Sequence, residues 1–425
     1  MSSVAKRILK ILGWTAGIVG AVLLALVGYI QIRWDAKDDR PAPDLKAPTD
    51  SATIARGEYI YKFQAQCWGC HGDHGQSNEM PVGGFAPPAG GGLFDLTDVG
   101  PGFGKWYARN LTPDVETGLG GWTDGEIVQA LREGLNKERV PLFPIMPMDW
   151  YKGMADEDVL AVVAYLRSLP PVKNNVPERE PSLMAKALFT FKVIKPNEPI
   201  SSPITAPPRG ITREYGRYVS NNLAGCADCH TPRNLQDGKF YLDSLFVGGS
   251  FAFGGGDDSP VLSFPRNLTP DRETGIGSWS EEQFLTALTT GLRPDSTVLF
   301  PHMPYAYYKA WSMDDLQAVF AYLSTLPAFR RTVPPNKFES DMQGIQGAER
   351  GKVLFRARCE ACHGKNGNGA QPTNVKLAEV AASLTDKDLM DFLRSGQMNL
   401  KMPGFGKTLK EDELNDVVAF IRTWK

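Results

Sequence analysis

The sequence predicts a mainly α-helical chain in which one membrane-spanning helix precedes three tandem small helical domains with long loops. Three observations carry this. The pentapeptide Cys-x-x-Cys-His occurs three times and uses all six cysteines and three of the five histidines. A segment of the first third recurs 157 positions later in the second. Residues 11–32 contain no charged side chain.

The 425-residue chain is long enough for two to four domains. Its apolar run can cross a hydrocarbon core of roughly 30 Å as one helix. Trp14 and Tyr29 lie near the ends of that run, and Lys6, Arg7 and Lys10 precede it, so residues 1–34 read as an uncleaved anchor with a cytoplasmic N-terminus. A cleaved signal peptide fits less well, because the run is too long and no small-x-small site follows Val27. Either way the rest of the chain is exported to the periplasmic side of a bacterial inner membrane. A net charge of −2 without a basic patch argues against nucleic-acid binding. Residues 35–52 read as a tether.

The motifs are Cys67-Trp-Gly-Cys70-His71, Cys226-Ala-Asp-Cys229-His230 and Cys359-Glu-Ala-Cys362-His363. This is the attachment pattern of c-type haem. Two thiols one helical turn apart can add to the two vinyl groups of the porphyrin, and the histidine that follows supplies an imidazole nitrogen to the iron. Zinc ribbons need four ligands per metal, thioredoxin-like motifs need a βαβ pattern, and such short disulfide loops staple little chain. The sequence therefore predicts three covalently bound haem c groups, in three class I-type cytochrome c domains.

The repeat sets the domain plan. Arg109-Asn-Leu-Thr-Pro returns as Arg266-Asn-Leu-Thr-Pro, and the Met146-Pro147 and Met303-Pro304 pairs correspond, as do the closing segments around Tyr165 and Tyr322. A shorter third copy lacks the Arg-Asn-Leu-Thr-Pro segment but keeps Met402-Pro403 and a final helix. The expected domains are 53–172, 209–335 and 344–425, with a proline-rich linker over 173–208. The apolar centre of that linker, near residues 183–194, reads as a segment packed on its neighbours or as a docking or membrane-surface segment. Arg56-Gly57 and Arg350-Gly351 open first helices whose glycines permit a close crossing with the last helix. The closing helices start at acid-rich caps that include Asp158, Asp315 and Glu413. Tyr165, Tyr322 and Phe420 face back toward the first helices.

A second axial ligand suits iron to electron transfer, and a thioether raises its potential. Met146, Met303 and Met402 each lie between a haem motif and a closing helix, each before a proline that fixes the backbone. Among the rivals, Met148 aligns with Tyr305, His302 would give a bis-imidazole site, and His74 follows its motif too closely to reach the opposite face. Met80 and Met154 read as packing or loop residues. Trp122 and Trp279 read as walls of the haem crevices, and the glycine-rich segments 83–105 and 248–259 as surface loops.

These motifs and the Arg109 and Arg266 segments resemble the triheme cytochrome c subunits of bacterial membrane-bound alcohol, aldehyde and gluconate-type dehydrogenases, over nearly everything after residue 50. The resemblance implies a periplasmic dehydrogenase catalytic subunit as partner, and quinone or a terminal oxidase of the respiratory chain as acceptor. It also implies His71, His230 and His363 as proximal and Met146, Met303 and Met402 as distal ligands. Many relatives attach to the membrane through C-terminal segments, whereas the apolar run here is N-terminal. The chain itself reads as an electron-transfer subunit rather than an enzyme. The alternatives are a free-standing tethered carrier that supplies an oxidase or reductase, and a haem enzyme with an open sixth position.

Overall fold

The computed structural model describes residues 3–72, 85, 87–97, 102–234, 238–252, 261–295, 299, 303–334, 337–338, 346–364, 367, 376–397, 402, 404–406 and 409–424. His74, Met80, Pro301, His302, Pro403, the side chain of Cys362 and parts of both glycine-rich segments lie outside the described residues.

Helix α1 (Ser3–Arg33) is apolar around its circumference, and Ile11, Ile18, Leu23 and Leu24 are all exposed. Among the described residues it is the one helix long and apolar enough to cross a membrane. Residues 35–52, read as a tether, instead run packed along the first domain. Arg40 donates to Asn197 O at 2.6 Å and Glu133 Oε2 at 3.3 Å, and Ala47 N donates to Asp124 Oδ2 at 3.0 Å. The Pro43 carbonyl lies so close to Gly125 that a Cβ there would meet it at 1.7 Å. Prolines favour an extended path here, and Asp38 N donates to Arg139 O at 2.9 Å.

Helix α2 (Ser51–Tyr59) starts on the Asp50 cap, which accepts from Thr53 N, and runs through a π-turn, Ile60–Gln64, into α3 (Trp68–His71). Next come α4 (Asp124–Glu133), with a Thr123/Glu126 capping box, α5 (Met148–Tyr151) and α6 (Asp156–Ser168). Helix α7 (Leu183–Thr190) follows in the linker. The series then repeats: α8 (Arg213–Tyr218), a second π-turn, Val219–Leu223, α9 (Cys226–His230), α10 (Glu281–Thr290), α11 (Tyr305–Tyr308) and α12 (Met313–Leu323). Helices α13 (Ala348–Arg358), α14 (Glu360–His363), α15 (Leu377–Ser383), α16 (Asp386–Ser395) and α17 (Glu411–Ile421) complete the chain. The strands are minor: antiparallel β1 (Leu93–Asp95), β2 (Gly104–Tyr107) and β3 (Glu180–Pro181), and the pair β4 (Val261–Leu262) and β5 (Lys337–Phe338). Thus part of the segment read as a surface loop forms a β-ribbon, with Phe94 opposite Trp106.

One crossing is built three times. A Cβ on Gly57, Gly216 or Gly351 would lie 1.8 Å from the carbonyl oxygen of Ala161, Ala318 or Asp416 respectively, so α2/α6, α8/α12 and α13/α17 approach backbone to backbone. Tyr165 stacks near Tyr61 and Phe420 near Phe355 across these crossings.

The first two helix pairs share a single hydrophobic core, whereas the third has its own, joined on its margin by Leu292. A reciprocal seam explains the fusion. Tyr59 Oη donates to Asp315 Oδ2 at 2.7 Å and accepts from Ser312 N at 2.8 Å; Tyr218 Oη donates to Asp158 Oδ2 at 2.8 Å and accepts from Ala155 N at 3.0 Å. Asp158 and Asp315, read as helix-dipole caps, are therefore buried seam ligands, whereas Glu413 caps α17 by accepting from Lys410 N at 2.7 Å. Arg56 holds Asp158 through two bonds of 2.8 and 3.0 Å, while Asp315 receives Tyr215 Oη at 2.9 Å and Gln64 Nε2 at 3.1 Å. Replacing Arg56 by alanine leaves the Asp158 carboxylate, only 2% exposed, with the Tyr218 hydroxyl and the more distant Arg209 at 4.0 Å. The expected cost is about 3–5 kcal/mol, read as a lowered thermal midpoint for both domains together.

Candidate cofactor sites

Cys67 and Cys226 lie three residues beyond the π-turns, and Cys359 directly follows α13. His71 N and His363 N donate to the carbonyls of Cys67 and Cys359, both at 2.9 Å, so the cysteine and histidine of a motif occupy successive turns. Cys67, Cys70, Cys226, Cys229 and Cys359 are not paired in disulfides. Burial pushes Cys67, Cys226 and Cys229 up to about 12 and Cys70 to about 11. Among the described residues no three His, Cys, Asp or Glu side chains converge on a bare metal ion.

The repeated Arg-Asn-Leu-Thr-Pro segment has a structural purpose. His71 Nδ1 lies 2.8 Å from Arg109 O, and His230 Nδ1 lies 2.8 Å from Arg266 O. A carbonyl can only accept, so Nδ1 carries the proton and Nε2 keeps its lone pair. Burial holds both imidazoles below their usual pKa, which keeps them neutral. The loop that presents each carbonyl is self-bonded. Asn110 Oδ1 accepts from Thr112 N at 2.9 Å while its amide donates to Val172 O at 2.8 Å; Asn267 makes the same bonds to Thr269 N at 2.9 Å and Phe329 O at 2.7 Å. The third copy lacks this segment. His363 Nδ1 is buried without a hydrogen-bond partner among the described residues, and burial lowers its pKa to about 4.

One cavity of about 1360 Å³ is lined by both of the first two motifs, by Met146 and Met303, and by Trp122 and Trp279. It exceeds the roughly 300–1,000 Å³ of a single small-molecule pocket. Met148, by contrast, is buried against Gly134, and Met154 lies in the shared core. Met402 is partly buried against the core that contains Cys359, its backbone paired both ways with Gln397. An apolar enclosure with thiols, a neutral oriented imidazole and a thioether matches the donor set of covalent haem c.

The sequence reading missed how the first two sites grip each other. Trp150 Nε1, on α5, donates to Asp228 Oδ1 at 3.1 Å inside the second motif, and the Tyr307 hydroxyl, on α11, lies against Gly69 of the first. Tyr151 and Tyr308, which are equivalent in the repeat, are buried and line the cavity; Tyr151 donates to Ala65 O at 3.0 Å. Their retention between diverged copies was the available signal.

Residues 54–170 match the family model "Cytochrome c", and residues 346–421 match "Cytochrome C oxidase, cbb3-type, subunit III". The chain is 29% identical to the cytochrome c subunit of the quinone alcohol dehydrogenase of Gluconobacter oxydans, over 95% of this chain and 83% of that one. It is 27% identical to the gluconate 2-dehydrogenase cytochrome c subunit of Pantoea cypripedii, over 88% and 86%. The fructose dehydrogenase cytochrome subunit of Gluconobacter japonicus is 26% identical, over 78% and 68%.

Proposed function

We infer that this chain, a c-type cytochrome related over most of its length to the cytochrome subunits of membrane dehydrogenases, relays electrons from a periplasmic dehydrogenase catalytic subunit to quinone or the respiratory chain. It has no substrate chemistry of its own and carries three covalent haems, in domains 53–172, 209–335 and 344–425. Cys67 and Cys70, Cys226 and Cys229, and Cys359 and Cys362 hold them by thioether bonds. His71, His230 and His363 are the proximal iron ligands, and Met146, Met303 and Met402 the distal ones. When bound, each haem iron supplies one-electron chemistry whose potential its axial ligands set.

The observation that carries this reading is the shared cavity, in which two thiol pairs, two carbonyl-tied histidines and two Met-Pro methionines meet in one apolar enclosure. The chain's own contribution is orientation and dielectric. The carbonyls of Arg109 and Arg266 fix the imidazole planes, Trp122 and Trp279 exclude water, and the crossed grips of Trp150 and Tyr307 fix the separation of the two sites. Helix α1 anchors the chain through residues 11–32, with the haem domains on the periplasmic side. The names of the relatives point to alcohols and sugar-derived substrates at the catalytic subunit.

Purification of the native protein in mild detergent tests this. The expected result is a stoichiometric dehydrogenase subunit and reduction of the haem absorbance by that enzyme's substrate. A cytochrome that emerges alone, and that no alcohol or sugar reduces, would overturn the subunit reading.

A further inference from the structure

The linker helix α7 has two apolar faces and buries only one. At 100° per residue, Ala185 and Phe189 point inward, into a small core with Trp106 that Trp34, Phe103 and Phe143 flank. Leu183, Met184, Ala187, Leu188 and Phe191 fall on the other face, where Leu183, Met184 and Phe191 are 45%, 43% and 56% exposed. Val193 extends this surface and is also exposed. An outward helix face built mostly from leucine, methionine and phenylalanine marks an interaction surface.

Its position says what covers it. Helix α7 packs beside the C-terminal end of α1: Lys186 Nζ donates to Gln31 Oε1 at 2.6 Å, and the Trp34 and Phe189 rings meet edge-on at 6.3 Å. The Arg179 guanidinium lies 4.8 Å and the Lys186 ammonium 5.5 Å from the Trp34 ring centre. Lys186, Lys192 and Lys195 border the apolar face, and of these Lys195 is paired with Glu198 at 3.6 Å. An apolar face rimmed by lysines and tryptophan, at the point where a membrane helix ends, has the composition of an interfacial helix.

We propose that α7 is a second membrane contact, lying in the interfacial layer beside the end of α1 with Leu183, Met184 and Phe191 in the acyl boundary and the lysines at anionic lipid headgroups. This rests on the reading of α1 as a membrane span. The contact fixes the domain's tilt, because Trp106 and Phe143, which pack at 4.2 Å beneath α7, also wall the shared cavity. The first cofactor site is then held one aromatic layer from the bilayer.

The test uses the full-length, haem-loaded protein in nanodiscs of phosphatidylethanolamine and phosphatidylglycerol, with the photocrosslinker p-benzoylphenylalanine placed singly at Leu23, Phe191 or Leu242. Leu242 is an exposed leucine of the second domain, and unchanged haem absorbance confirms that each variant is folded. Lipid adducts by mass at 23 and at 191, several-fold above those at 242, are the expected result. Adducts at 23 with 191 no better than 242 would overturn the α7 contact and leave the anchor standing. Absence of adducts at both 23 and 191 would overturn the anchor, and α7 with it.

Discussion

Replacing Cys226 and Cys229 by alanine is expected to lower the haem content from three to two per chain and to destabilise the first domain along with the second. The same change at Cys359 and Cys362 should also leave two haems, but with the first two domains melting as before. The asymmetry follows from packing. The first two helix pairs share one core, one cavity and the Tyr59–Asp315 and Tyr218–Asp158 seam, whereas the third pair has a separate core with Leu292 at its margin. Emptying half of the shared cavity removes more packing than a single large core side chain, whose loss costs about 3–5 kcal/mol. Haem quantification after alkaline pyridine treatment, with a thermal melt followed by far-ultraviolet circular dichroism, reads both effects. Equal behaviour of the two double variants would mean that the first two domains are not one cooperative unit.

The sequence was most legible where chemistry demands fixed spacing. The three motifs stand on short helices, and Met146 and Met303 face the cavity that the motifs line. The repeat also singled out Arg109 and Arg266 without revealing that their carbonyls, not their side chains, matter to His71 and His230. A backbone acceptor leaves no signature in residue type. The second crossing glycine, Gly216, was hidden because Tyr215 stands where the other copies have arginine. That difference belongs to the seam, where Tyr215 binds Asp315 while Arg56 binds Asp158. The seam was illegible for a general reason: Tyr59, Asp158, Tyr218 and Asp315 pair across more than fifty positions, and each residue type is ordinary in a helix's first or last turn. Residues 35–52 carried linker composition, yet the Ala47 amide found Asp124 on the first domain and the Arg40 side chain found Asn197 O.

Met303→Leu is expected to change the second site's iron without unfolding its domain. Leucine conserves the volume of methionine, so the stability cost should stay below about 1.5 kcal/mol. What is lost is the thioether, the only soft donor that the repeat places between the second motif and its closing helix. The variant should show one high-spin haem by electron paramagnetic resonance and a fall in one of three potentials on the order of 0.1 V, within the roughly 0.8 V that axial ligands span. Met146→Leu should do the same at the first site. Met148→Leu is the internal control, because Met148 sulfur packs against Gly134 rather than lining the cavity; its spectrum should match the parent's. A Met303→Leu protein that stays fully low-spin would transfer the ligand role to His302, and His302→Ala would then produce the high-spin signal instead. The Met146 and Met148 pair decides the same question at the first site, where two methionines two positions apart differ in whether they face the cavity.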